Sequence, residues 1–236
     1  MQLSIVLFDG FTALDVVGGY EVLRNVPGVQ VQFVAAASGI VASDSGALGM
    51  MAASAFAQAA PADILYVPGG PGVPGALDDA ALLDYVARSA ARAAWMFGVC
   101  NGVEILGAAG LLKGRSVTTN MFSRNAVAAY GATVLRERYV RDGQLVTGAG
   151  VSSSIDAALY LAGLIAGDTV ARTIQLGIEY YPAPPHGNGC PDEQPLPIRA
   201  IVGMIEKTRE KRLAARHIPY PHVTSGAGSK PATPDT

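Results

Sequence analysis

Charge is scarce in this chain. Of its 236 residues only 15% are Asp, Glu, Lys or Arg, and the formal net charge is −2. A nucleic-acid surface needs a strong local excess of basic side chains, so no nucleic-acid partner is expected. Histidine is scarcer still, with only His186, His217 and His222. All three lie outside the segment around Cys100, so the Cys–His pairing of thiol proteases has no evident second member. His186 reads as a solvated loop residue. No cluster has metal-ligand spacing, so no metal is expected. The two cysteines, Cys100 and Cys190, sit in unlike contexts. A structural disulfide is therefore not expected, Cys190 reads as an incidental thiol, and a cytoplasmic location fits. No apolar run reaches about 18 residues, which argues against a membrane span. The opening run, Leu3 to Phe8, has no basic segment before it, so no cleavable leader is expected.

What the chain does have is apolar surface and glycine. Half the residues are hydrophobic and 28 are glycine. Short apolar runs at Leu3 to Phe8, Val29 to Ala37, Ile64 to Val67 and Trp95 to Val99 read as buried strands. Between them lie helical patterns at Thr12 to Val26 and at Asp78 to Ala90. Residues 40 to 55 suit a small hairpin or an irregular segment. After residue 100 come a helix to about Gly110, a strand at Ser116 to Thr119 and a short helix at Ser123 to Tyr130. Strand-like runs at Thr133 to Val140 and Leu145 to Thr147 flank the turn Asp142-Gly143. Helices follow at Ser154 to Ile165 and from a capping Asp168 to about Gly177. Residues 181 to 197 form a loop, and Leu196 to Arg216 an amphipathic helix that becomes basic. Alternating strands and helices predict one α/β domain over 1–216, a parallel sheet sandwiched by helices. Residues 217–236, rich in Pro, Ser, Thr and Gly, are expected to be a disordered tail.

In such sheets ligands bind at the carboxyl ends of the strands. Three loops leave those ends: Phe8 to Thr12, Pro68 to Gly75, and Gly98 to Gly102. The last carries Gly98-Val99-Cys100-Asn101-Gly102 between a strand and a helix, the arrangement of a nucleophile elbow with cysteine in place of serine. At a helix N-terminus, free N–H groups favour a thiolate. Asp15 has two readings. In Thr12-Ala13-Leu14-Asp15 it could close a capping box. Alternatively it faces Cys100, and the two acids then share one proton. Gly70 to Gly75 formally matches G-x-G-x-x-G, but Pro71 and Pro74 remove N–H donors that a pyrophosphate would need, which argues against a nucleotide. The Gly69-Gly70 turn instead offers the Gly70 N–H. With the N–H of Asn101 it would form an oxyanion-hole-type pair. Phe11, Met121 and Phe122 are candidate pocket walls. Ser152 and Ser153 could line the pocket or cap the helix that follows.

These residues resemble the ThiJ/PfpI superfamily, whose fold is flavodoxin-like, of the class I glutamine amidotransferase type. The matching phrases are I-V-L-F-D-G-F-T-A-L-D, D-I-L-Y-V-P-G-G-P-G, G-V-C-N-G-V-E-I-L-G-A-A-G-L-L-K-G-R and T-G-A-G-V-S-S-S-I-D-A-A-L. Q-L-G-I-E-Y-Y-P-A-P-P and Asp15 resemble the isonitrile hydratase branch in particular. That resemblance implies hydration of a small isonitrile to an N-substituted formamide. It also implies a Cys100 nucleophile, Asp15 as the acidic partner, a homodimer and no cofactor. Asn101 departs from the Thr often found after the nucleophile in that branch, and Gly19 from a common proline. Two other classes remain open: a non-catalytic small-molecule sensor, and a thiol enzyme acting on glyoxals or peptides.

Overall fold

The computed structural model describes residues 1–215. The expected tail, 217–236, lies outside the described residues, as does Arg216. The elements in chain order are β1 (Gln2–Val6), α1 (Ala13–Leu23), β2 (Gln30–Ala35), β3 (Gly39–Ala42), β4 (Gly49–Ala52), β5 (Ser54–Ala55) and β6 (Ile64–Val67). Next come α2 (Val73–Leu77), α3 (Ala80–Ala90), β7 (Trp95–Val99), α4 (Gly102–Ala108), β8 (Ser116–Val117) and α5 (Arg124–Ala129). The chain continues through β9 (Thr133–Val134), β10 (Tyr139–Asp142), β11 (Leu145–Gly148), α6 (Ser153–Ala166), α7 (Asp168–Gly177) and α8 (Leu196–Ala214).

The four apolar runs expected to be strands become neighbours in one sheet, of order β10-β11-β7-β6-β1-β2-β5. All pairings in it are parallel except β10 with β11 at one edge. Parallel strands buried on both faces read as continuous apolar runs, and β6 is buried at every position. Helices cover the sheet: α1 packs on α6 and α6 on α7, while α4 packs against α2, α3 and α5. This is the expected α/β architecture. The hairpin expected within 40 to 55 is present as antiparallel β3 and β4.

Four local expectations need correction. The Pro68 to Gly75 loop turns helical at Val73, where α2 begins with a proline in its first turn. A proline costs nothing in hydrogen bonds there, because its missing N–H would have no partner inside the helix. Ser116 to Thr119 does not join the main sheet. Only Ser116 and Val117 are strand, paired with β9 in a small ladder of their own. Asp168 is the first residue of α7, and Gly167, at φ 86°, occupies the cap position. The last helix, α8, buries none of its residues. It lies across the carboxyl-end loops nonetheless, with Leu213 over Gly10 and Gly203 beside Phe122.

Close packing at those loops rests on glycine. A Cβ at Gly102 would lie 2.3 Å from the Pro68 carbonyl oxygen, and one at Gly72 would overlap the Asp9 carbonyl oxygen. Gly102 is the first residue of α4, where helix propensity alone predicts that alanine gains about 1 kcal/mol. The backbone contact with Pro68 cannot yield as a flexible side chain would. Gly102→Ala is therefore expected to lower stability by about 1–3 kcal/mol, the usual cost of overpacking. Chemical denaturation checks the sign, and a gain in stability would show that the Pro68 loop moves aside freely.

Candidate active site

Cys100 follows directly on β7 and precedes α4. Its φ is 58°, one of two positive values among the described non-glycine residues. A side chain in that region costs about 1–3 kcal/mol and persists only when its surroundings fix it. Here they do. The Cys100 N–H donates to the Gly148 carbonyl at 3.1 Å, and its own carbonyl accepts from Thr119 Oγ1 at 2.7 Å. The expected elbow is thus present, with the thiol almost fully buried.

Asp15 is on α1 and completely buried. Thr12 occupies the cap position without a side-chain cap bond, so the capping-box reading gives way to the inward one. The helix is pinned on either side of this residue. The Tyr66 hydroxyl donates to the Asp15 carbonyl, and Ser154 Oγ donates to the Leu14 carbonyl at 3.1 Å. Tyr66 also fills the space over Gly19, where any Cβ would overlap its ring and hydroxyl. The carboxyl then has two partners. Its Oδ2 accepts from the Gly69 N–H at 3.0 Å, and the group interacts with the Cys100 thiol. Oδ1 has no conventional hydrogen-bond partner.

Burial dominates the electrostatics. It pushes the Asp15 carboxyl up to about 7, against the opposing pull of the Gly69 N–H and the Cys100 thiol; the charges of Asp44 and Glu206 push it further up. The thiol is pushed well above its ordinary value, first by burial and then by the Asp15 charge. The side chain of Asn120 and the N–H of Asn101 pull it down, but not enough. A short helix such as α4 therefore does not by itself yield a thiolate here, contrary to the dipole expectation, because desolvation outweighs it. Burial drives both acids toward the neutral form; the Asp15 charge opposes ionisation of Cys100, whereas the thiol's hydrogen bond favours the Asp15 carboxylate.

The expected oxyanion donors are present but engaged. The Gly70 N–H donates to Asn101 Oδ1 at 2.7 Å, and Asn101 Nδ2 donates to the Gly70 carbonyl at 3.0 Å. This reciprocal pair ties the β6 loop to the elbow and leaves the Gly70 N–H no second role in this conformation. The Gly69 N–H serves Asp15, and the Asn101 N–H serves the sulfur. The residue that sequence reasoning missed is Asn120, whose Nδ2 lies 3.1 Å from Cys100 Sγ. No motif marks it: it follows a two-residue strand in an ordinary-looking Thr-Thr-Asn.

Other candidates lie elsewhere. Phe11 is fully buried in the core and is not a pocket wall, whereas Phe122 is 48% exposed. Ser152 accepts from Arg138, and Ser153 Oγ donates to the Gly150 carbonyl; neither makes a side-chain cap bond to α6. His186 and Cys190 belong to the loop before α8, and both cysteines are free. A cavity of about 1030 Å³ opens over the ends of β1 and β2, lined by Phe8, Ile40, Phe56, Leu82 and Leu213. Neither Cys100 nor Asp15 lines it. Among the described residues no group of His, Cys, Asp and Glu could hold a metal ion. Nor is any described helix long and apolar enough to cross a membrane.

Residues 1–163 match the model of the DJ-1/PfpI family. The chain belongs to that family. It is 39% identical over 216 residues to the isonitrile hydratase of Pseudomonas putida, covering 92% of this chain and 93% of that protein. Among solved structures, a ThiJ/PfpI family protein from Pseudomonas syringae superposes with a TM-score of 0.84 at 33% identity, covering 91% of this chain and 89% of that one. A DJ-1 superfamily protein from Salmonella typhimurium gives a TM-score of 0.68 at 29% identity, over 77% of this chain and 99% of that one. The fold and the resemblance read from the sequence are both borne out by these likenesses.

Within this family fold, the buried Asp15 has a consequence for stability. A carboxyl whose folded-state pKa is raised binds its proton more tightly in the folded chain than in the unfolded one. Between the ordinary carboxylate value of about 3.9 and the folded value of about 7, the unfolded chain therefore holds fewer protons, and stability falls as pH rises. The full loss is about 4 kcal/mol above that window, at about 1.4 kcal/mol per pH unit. Asp15→Asn removes the titration. Its unfolding free energy should lack this decline between about pH 4 and pH 7, and parallel denaturation curves for the two proteins would refute the assignment.

Proposed function

We propose that this protein is an isonitrile hydratase, converting a small isonitrile to an N-substituted formamide through a covalent adduct on Cys100. The observation that carries the reading is the buried pair of Asp15 and Cys100, on a chain 39% identical along nearly its whole length to an isonitrile hydratase. An isonitrile has an electrophilic carbon that must gain both a nucleophile and a proton. Two adjacent acids that share a proton supply both.

The reaction balances with those two groups and one water. The Cys100 sulfur, having given its proton to the Asp15 carboxylate, bonds to the isonitrile carbon. The Asp15 carboxyl protonates that carbon, giving a thioimidate, R–N=CH–S–Cys100. Water then adds to the same carbon. Asp15 takes a proton from the water and passes one to nitrogen, giving R–NH–CH(OH)–S–Cys100. The carboxylate removes the hydroxyl proton, the C–S bond breaks with its electron pair returning to sulfur, and R–NH–CHO leaves. Asp15 is again protonated. A carboxyl poised at about 7 suits this traffic, since it is neither a committed acid nor a committed base near neutral pH. The Asn101 N–H beside the sulfur supports negative charge there as the bond breaks.

No organic cofactor or metal enters this scheme. We also place the protein in the cytoplasm as a homodimer. Apolar side chains left exposed on α1 (Leu14, Val17) and α8 (Ile198, Ile201, Met204, Ile205) would find cover in a subunit contact.

The test is product formation from cyclohexyl isocyanide. Wild-type protein should release N-cyclohexylformamide and Cys100→Ala none. Asp15→Asn should lose at least about 100-fold in kcat/KM, the lower range for a general acid–base. A folded protein whose Cys100 is alkylated normally yet makes no formamide would discard the hydratase, and lactate formation from methylglyoxal would then favour a glyoxal enzyme.

A further inference from the structure

The Cys100 thiol lies in an unusual electrostatic setting. Thiols that react near neutral pH commonly rely on a histidine, lysine or arginine beside the sulfur. The groups that act on this one are the Asp15 carboxyl, the Asn120 side chain and the Asn101 N–H, and none carries positive charge. Asp15 comes from α1. Among the described residues, the charges of Asp44 and Glu206 act on it, while Glu104 on α4 bonds Ser123 and feels the charge of Glu210. Every charge here opposes a thiolate. Whatever holds one must be a neutral dipole.

Asn120 is built for that task. Its Nδ2 lies 3.1 Å from Cys100 Sγ. Its Oδ1 accepts from two backbone N–H groups, Phe122 at 2.8 Å and Ser123 at 3.0 Å. Those two bonds fix which end of the amide is oxygen, so the NH₂ end has to face the sulfur. The segment that carries it is anchored on both sides of the elbow. Thr118 N–H donates to Thr147 Oγ1 at 2.9 Å, Thr118 Oγ1 to the Glu137 carbonyl at 2.7 Å, and Thr119 Oγ1 to the Cys100 carbonyl at 2.7 Å. Three consecutive residues thus tie β11, the loop before β10, the nucleophile's backbone and the nucleophile's sulfur to one point.

We infer that Asn120 is a catalytic residue: its locked side-chain amide donates to the Cys100 thiolate and supplies the stabilisation that a cation supplies in other thiol sites. This rests on Cys100 being the nucleophile. An amide does not titrate, so the donor persists at every working pH. The bond is strongest to the charged sulfur and weakens once the sulfur is carbon-bound, so Asn120 populates the attacking form and also favours the leaving of sulfur when the adduct breaks down.

The experiment separates this role from a merely structural one. In a Cys190→Ser background, the rate of iodoacetamide alkylation of Cys100 is followed against pH for wild type, Asn120→Ser and Asn120→Asp. Both replacements keep an oxygen that can accept from the Phe122 and Ser123 N–H groups, and both remove the NH₂ donor. With a donor lost to a charged acceptor, the alkylation curve of Asn120→Ser should move up by about one to two pH units, or about 10–100-fold in rate near neutral pH. Asn120→Asp, which sets a second carboxylate against the sulfur, should move further. Far-ultraviolet circular dichroism confirms the fold of each. A folded Asn120→Ser that follows the wild-type curve overturns the assignment, and so does Asn120→Asp should the serine variant not fold. If the curves shift while wild type makes no formamide, the hydratase reading falls and Asn120 stands. If formamide forms and the curves coincide, the reverse holds.

Discussion

Two acids buried against each other, with no cation among the described groups that act on the sulfur, are the constraint on which the rest of this site depends. Water would let Asp15 and Cys100 ionise independently. In the interior both charges are disfavoured by desolvation, and the Asp15 charge disfavours the thiolate further. The pair therefore behaves as one unit that exchanges a proton, and its apparent titrations belong to both residues together. That is poor design for a strong standing nucleophile. It does couple the two groups, because the carboxyl is loaded with a proton by the same event that frees the sulfur.

Holding such a pair in place requires the backbone to come very close, and this is where the glycines matter. Gly70 sits at φ 148°, and a Cβ there would overlap the Gly10 carbonyl and the Thr12 N–H. A Cβ at Gly69 would meet the Asn101 side chain. The β1, β6 and β7 loops can then bond directly to one another. Thr12 N–H donates to the Gly69 carbonyl at 2.8 Å, and Gly72 N–H donates to the Gly10 carbonyl at 3.1 Å. Tyr66 and Ser154 fix α1 from opposite sides. Rigid support of this kind fixes the relative position of Asp15 and Cys100.

The parts legible in the sequence were those with a local signature. The strand Trp95 to Val99 has the predicted bounds, since five apolar residues between an alanine-rich segment and a glycine-flanked cysteine leave little room for another reading. Asp79 caps α3 as its position before an apolar periodicity suggests, accepting from the Ala81 and Leu82 N–H groups. Asp15 was legible as a candidate but not as a decision, because a capping box and an inward carboxyl have the same sequence; tertiary burial chose between them. The partner of the Gly70 N–H is not legible for a related reason. A bare N–H in a glycine loop can serve a substrate or a neighbour, and the neighbour, Asn101, lies 31 residues away in the chain. Asn120 had no signature at all. Its meaning comes from a sulfur 20 residues away and from two amides that become available only when the chain turns into α5.

Asn101, the residue after the elbow cysteine, spends its side chain on the protein itself. A hydroxyl at this position can offer one donor and accept, but it cannot both donate to and accept from the backbone of one residue with the fixed spacing of an amide. Asn101 does so with Gly70, forming a closed ring of two hydrogen bonds between the elbow and the β6 loop. This ring holds Gly69 where its N–H meets Asp15 and leaves the Asn101 N–H at the sulfur. The side chain therefore acts on the chemistry through the backbone it positions. A second asparagine, Asn120, applies the same logic from the other side, with the carbonyl end held by backbone so that the NH₂ end has one direction left. In a pocket poor in charge of either useful sign, orientation of neutral amides is the remaining means of controlling a thiol.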